Sequence, residues 1–163
     1  MSSNSLRFAS INDVPESMRD RVARALPEPP RRQRRQLRQR RDDEHTEQVV
    51  FFNRIRTLSL NDSRYELAVR RTFAIPNGGG RSKREAGRLK AEGVKAGVSD
   101  IETSLPAGGY HGLFIEMKSL TGYASREQKD WVQASLKLGY FASVCRGAGE
   151  AFSVWKQYVE TSF

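Results

Sequence analysis

Beyond residue 46 the apolar positions of this chain recur with the periods of packed secondary structure. Phe51, Phe52, Ile55 and Leu58 fall on one stripe at helical spacing, which predicts a helix over about 43–58 closed by the polar stretch 59–64. Residues 71–75 read as a strand, ended by the loop Pro76-Asn77-Gly78-Gly79-Gly80 that regular structure can scarcely enter. A helix comes next over 82–92, stopped by Gly93, with Lys83, Arg84, Arg88 and Lys90 making a basic face. Residues 98–104 and 111–119 predict two strands of a hairpin, its turn centred near Ala107-Gly108. A helix over 125–138 points Trp131, Val132, Ser135 and Leu136 inward and stops at Gly139. A strand over 140–146 and a helix over 150–160, with Ala151, Val154, Trp155 and Tyr158 on one side, complete the pattern. Helix, strand, helix, hairpin, helix, strand, helix predicts an α/β layered domain with a mixed sheet flanked by helices.

The preceding segment cannot build a core. Of fifteen aromatic residues only Phe8 lies before Glu47, whereas Pro15, Pro27, Pro29 and Pro30, four of the six prolines, do. Val14, Met18, Val22 and Leu26 allow a short amphipathic helix after Asp13 and Pro15, and a partly ordered arm is the plainer reading. Arg31 to Arg41 lacks Gly and Pro and reads as a helical extension of the segment that begins near residue 43. We therefore expect a basic arm over 1–43 and a folded domain over 44–163.

Charge narrows the partner. The 163 residues carry 28 Lys+Arg against 19 Asp+Glu, a net charge of +9, shared between the arm and the domain. A polyanion such as nucleic acid, or an anionic membrane surface, is the expected partner. The arginine run could grip phosphates through counterion release, be a nuclear-import-like signal if the source is eukaryotic, or be a solvated face with no specific role. No run approaches the roughly 18 apolar residues of a spanning helix, and the amino terminus lacks a signal pattern, so neither membrane insertion nor secretion is expected. A single cysteine, Cys145, allows neither an internal disulfide nor a multi-thiolate zinc site, and suits a reducing, cytoplasmic setting.

The hairpin carries the strongest chemical signal. With the turn near Ala107-Gly108, Asp100 lies nearly opposite Ile115 or Glu116, setting two carboxylates on adjacent strands within a register error of one. At about 4 Å and an effective dielectric of about 20 their repulsion is roughly 4 kcal/mol, large beside the stability of a small domain. A divalent cation held between them reverses the sign, and hard oxygens suit Mg²⁺ or Mn²⁺. Lys118 shares the face of Glu116, while Leu113, Ile115 and Met117 take the other. Carboxylates, cation and lysine suit phosphodiester hydrolysis, since the ion lowers the pKa of its water and the lysine stabilises the transition state. The plainer alternatives are a lysine that only neutralises Glu116, or three charges on a solvated hairpin.

Other residues keep two readings. Glu47 lies on the apolar stripe with Phe51 and Ile55, so it is either a third oxygen near the ion or a first-turn acid favouring the positive end of its own helix. Gln128 completes a Ser-x-x-Gln capping box with Ser125. The Gly78-Gly79-Gly80-Arg81-Ser82 stretch lacks the Gly-Lys-Ser/Thr of a phosphate loop, so no nucleotide cofactor is expected; it could bring Arg81 to a DNA phosphate or only turn the chain. His45 and His111 are too few for a histidine metal cluster. Cys145, Trp131 and Trp155 sit among apolar neighbours and read as core.

Glu47, Ala74-Ile75-Pro76-Asn77-Gly78-Gly79, Gly97-Val98-Ser99-Asp100-Ile101, Phe114-Ile115-Glu116-Met117-Lys118 and Ser125-Arg126-Glu127-Gln128, in this order and spacing, together resemble a stand-alone VRR-NUC domain of the PD-(D/E)xK nuclease superfamily. The resemblance covers about residues 44–160 and implies a restriction-endonuclease-like fold. It implies Asp100, Glu116 and Lys118 as catalytic, with Glu47 and Gln128 in support. Metal ligands would be Asp100, Glu116, Glu47 and the Met117 backbone carbonyl, with Mg²⁺ or Mn²⁺ as cofactor. It further implies DNA as substrate and a homodimer acting on branched, junction-like DNA in repair, recombination or phage replication. Ser99 departs from the proline that usually precedes the aspartate, which affects backbone rigidity more than chemistry.

The expectation is thus a metal-dependent DNA endonuclease in which Asn77, Arg81, Lys83, Arg84, Arg88 and Lys90 hold the DNA backbone. The rival is a non-catalytic DNA-binding module that keeps the fold, for which an intact carboxylate-lysine set is awkward.

Overall fold

In the computed structural model, residues 31–76 and 83–162 are described, without the side chains of 31–42, 83, 84 and 86. The first helix of the described residues, α1 (Arg31–Asn61), runs from the arginine-rich segment through the aromatic stripe without a break. Phe51 and Ile55 on that stripe are fully buried, each contributing about 1.5–3 kcal/mol of apolar transfer. A 3₁₀ turn (Ser63–Tyr65), opened by Asp62 accepting from the Arg64 amide, leads into a five-residue helix, α2 (Glu66–Arg70). Neither piece was expected, because five residues show too little of a helical period to be read locally.

The remaining elements are β1 (Thr72–Ala74), α3 (Lys83–Ala91), β2 (Ile101–Thr103), β3 (Leu113–Lys118), α4 (Arg126–Lys137), β4 (Phe141–Arg146) and α5 (Gly147–Glu160). The strands form one sheet in the order β1-β2-β3-β4. β1–β2 and β2–β3 are antiparallel and β3–β4 is parallel, joined by α4. The sheet is therefore mixed, as the element order predicts.

The hairpin turn sits one residue later than expected. Ala107 and Tyr110 exchange backbone hydrogen bonds of 3.2 and 2.9 Å around Gly108 and Gly109, whose φ of 57° and 83° fit a two-residue primed turn. Between this tip and the ladder the first arm carries one extra residue, so Ile101 pairs with Ile115 and Thr103 with Leu113.

All six residues of β3 are buried, with different neighbours on its two faces. Leu113, Ile115 and Met117 join Phe51, Ile55, Tyr158, Val159 and Trp155 in the main core beneath α1 and α5. The Trp155 indole N–H donates to Thr72 Oγ1 at 2.9 Å. On the other face Phe114 packs with Val132 of α4 and Ala142 of β4. Leu136, expected inward, is 38% exposed, whereas Ser135 beside it is buried. The last helix begins three residues earlier than predicted, directly from β4. Gly147 makes that junction at φ 76°, and a Cβ there would lie 2.8 Å from Leu120 Cδ2 and 3.3 Å from Glu47 Oε2. Residues 38–163, which hold the sheet, form one compact unit.

Candidate active site

The ladder that pairs Ile101 with Ile115 sets Asp100, one residue before β2, across from Glu116. The register left open by the sequence is thereby resolved. Asp100 Oδ2 accepts the Met117 amide at 2.9 Å, which ties its carboxyl to the neighbouring strand. The two carboxyls are close enough for each to alter the other's proton affinity. Burial raises the Asp100 pKa, opposed by the Lys118 charge and the Met117 N–H. Glu116 is pushed up to about 8, first by burial and then by the Asp100 charge.

Glu116 has no solvent exposure at all, which excludes the solvated-hairpin reading of these charges. Its Oε1 accepts from Lys118 Nζ at 2.8 Å and from the Gln128 side-chain amide. Its Oε2 is buried with no hydrogen-bond partner among the described residues. Lys118, 5% exposed, also donates to the Met117 carbonyl at 2.6 Å and lies 3.7 Å from Glu44 Oε1. Burial works against its ammonium, but the Glu116 hydrogen bond and the charges of Glu116, Glu44 and Asp100 outweigh it and raise its pKa. Lys118 is therefore a cation fixed by three oxygens.

Gln128 unites capping and orientation. Its Oε1 accepts the Ser125 amide at 2.8 Å and its own amide donates to Ser125 Oγ at 3.3 Å, completing the capping box of α4, while its Nε2 reaches Glu116. The capping box aims this side chain at the carboxylate.

Glu47 is placed otherwise than expected. It lies well inside α1, and its Oε2 accepts the Ala148 amide at 2.6 Å at the amino end of α5. It thus favours the positive end of a different helix from its own. No group of three or more His, Cys, Asp or Glu side chains converges to hold a metal among the described residues, and the contact Glu47 makes here is with the Ala148 amide. α1 packs on the core face of the sheet and Glu116 projects from the opposite face, toward α4, but α1 passes the end of β3 closely enough for a carboxylate to reach Lys118. Glu44, one helical turn earlier, reaches Lys118 instead. It was missed although it stands at i−3 from Glu47, a spacing that puts both on one side of the helix.

The donors suit a small hard cation. Asp100 and Glu116 offer oxygens from two strands, the unpartnered Glu116 Oε2 among them, and Mg²⁺ commonly takes one or two carboxylates together with substrate phosphate. The Met117 carbonyl, expected as a further ligand, accepts the Lys118 ammonium in this arrangement.

Of the residues expected to hold DNA, Asn77 and Arg81 lie outside the described residues, as do the side chains of Lys83 and Arg84. Arg88 and Lys90 on α3 are exposed, and Arg88 Nε lies 3.3 Å from Glu92. Cys145 is fully buried, and burial pushes its thiol up to about 11, as befits a core residue. No helix among the described residues is long and apolar enough to cross a membrane.

A mixed sheet flanked by helices, with two carboxylates and a lysine gathered on its central hairpin, defines a nuclease domain of the restriction-endonuclease-like class. The VRR-NUC domain matches residues 33–149, and a solved structure described as a VRR_NUC domain protein is 30% identical, with a TM-score of 0.51. That match covers 67% of this chain and 88% of the other. No curated protein sequence matches. The chain belongs to the VRR-NUC domain family, whose members are nucleases, and DNA is the substrate this membership gives it.

Proposed function

We propose that the chain is a divalent-metal-dependent DNA endonuclease that prefers branched or junction-like DNA. The observation that carries the reading is the cluster of buried Glu116 and Lys118 with half-buried Asp100, in which one Glu116 oxygen has no partner among the described residues. Asp100 and Glu116 would hold Mg²⁺ or Mn²⁺, which supplies an activated water and offsets phosphate charge. Lys118, locked by Glu116 and the Met117 carbonyl, presents its ammonium to the scissile phosphate and stabilises the charge that develops there. Gln128 keeps Glu116 oriented, and Asp100 is steadied by the Met117 amide.

The competing reading, a DNA-binding module without catalysis, leaves the burial of Glu116 and Lys118 beside Asp100 without a purpose. Incubation with labelled four-way, flap and linear DNA in Mg²⁺, Mn²⁺ or EDTA separates the two. Cutting in metal that disappears in EDTA and in Asp100→Ala and Lys118→Ala is expected. Absence of cutting on every substrate, or survival in both variants, would overturn the proposal. Symmetric paired nicks on a junction require two copies, so the reading includes a homodimer, measurable by light scattering with and without DNA.

A further inference from the structure

β3 and β4 end together, and the last pair in their parallel register is Lys118 with Arg146. Paired residues of adjacent strands leave the sheet on the same face, so a second cation stands beside the candidate catalytic lysine. Between β3 and α4 the chain crosses this end of the sheet through Ser119–Ser125, which opens with a turn closed by Gly122 N–H to Ser119 O at 2.9 Å. The Gly122 carbonyl accepts from Arg146 Nε at 3.3 Å, and the Arg146 guanidinium lies 5.5 Å from the centre of the Tyr123 ring.

This loop carries two large apolar side chains that are mostly exposed. Tyr123 is 79% exposed and Leu120 70% exposed, five and two residues beyond Lys118. Arg146 is itself exposed, and its remaining guanidinium N–H groups make no hydrogen bond or ion pair among the described residues. An arginine on one side of an aromatic ring holds the ring in place and leaves the other side for a flat partner. A nucleobase has that shape, and the phosphate attached to it has the charge that complements Arg146. Inside continuous duplex a paired base has both faces covered by neighbouring pairs, so the ring is open to a base freed from the stack and closed to the duplex interior.

We propose that Tyr123, braced by Arg146 and flanked by Leu120, is a stacking site for an unpaired base next to the scissile phosphate. The inference rests on the nuclease reading for its location and adds the feature by which the site tells strand separation from continuous duplex. Arg146 takes the phosphate of the stacked nucleotide, and Leu120 fills the gap where the next base pair would lie.

The test uses the full chain in EDTA, so that it is independent of cutting. A junction and a linear duplex of the same sequence carry 2-aminopurine at the position beside the branch. Wild type should quench the junction probe, and Tyr123→Ala should abolish the quench. The same variant should reduce the junction-to-duplex affinity ratio about 5- to 100-fold. Tyr123→Trp should restore both, and Leu67→Ala, an exposed apolar residue on α2, should leave both unchanged. Equal quench and equal ratio in wild type and Tyr123→Ala would overturn the stacking site. Parallel cleavage in Mg²⁺ keeps the two readings apart: lost stacking with cutting intact sinks this inference alone, and intact stacking with no cutting sinks the nuclease reading alone.

Discussion

Gln128 touches Glu116 with the same side-chain amide whose oxygen closes the capping box on Ser125. Helix capping and carboxylate orientation are thus one structural event. Gln128→Ala should cost about 1 kcal/mol through the lost cap, a shift of about 3 °C in melting temperature, and should also slow cleavage at least tenfold. Gln128→Glu should keep the cap and still lose activity, because it sets a third negative charge against Glu116. Full activity in Gln128→Glu would show that the contact orients nothing.

Glu116 gives a pH signature. Its pKa is about 8 in the folded chain against an ordinary 4.5, so the folded state holds this proton more tightly than the unfolded state. Its contribution is therefore most favourable below about pH 4.5, declines as pH rises toward 8, and levels off above. In EDTA, wild type should lose stability across this window relative to Glu116→Gln, by on the order of a few kcal/mol. Urea melts at several pH values measure the difference, and parallel curves for the two proteins would contradict the assignment.

Glu47 and Glu44 should behave oppositely. Glu47→Ala strips a carboxylate from the amino end of α5 and should destabilise the fold by about 1–2 kcal/mol while leaving Mn²⁺ affinity within about twofold. Glu44→Gln removes a charge beside Lys118 on a half-buried surface and should lower cleavage with little loss of stability. Titration calorimetry with Mn²⁺ and thermal melts read both effects. A tenfold loss of Mn²⁺ affinity in Glu47→Ala would return that residue to the metal site.

Gly147→Ala should destabilise by about 1–2 kcal/mol from the left-handed backbone alone, with a further cost from pressing Cβ against Leu120. Because the same Cβ approaches Glu47 Oε2, the cap on Ala148 should loosen as well. Denaturant unfolding checks the magnitude, and an unchanged midpoint would mean that the junction tolerates a side chain.

Most of the layered architecture could be read locally. The stripe of Phe51 and Ile55, the alternation along β3 and the Ser125 capping box are each written within a few residues, so their elements emerged near their observed bounds. The errors share a cause. α2 is shorter than a recognisable period, α5 starts at a glycine with nothing helical about it, and the hairpin's extra residue shifts the turn without disturbing the alternation.

The sequence alone determined that Asp100, Glu116 and Lys118 would come together, because a hairpin brings its own residues opposite one another whatever surrounds it. It also determined that α4 would present Gln128 in a fixed pose, since the capping box is local. Tertiary structure decided the rest. Which oxygens Lys118 meets, whether Glu116 is dry, and which helix end Glu47 caps depend on how α1, α4 and α5 dock on the two faces of the sheet. Those dockings join residues as far apart as Glu47 and Ala148, and the free energy that selects them comes from burying whole faces rather than from any short motif.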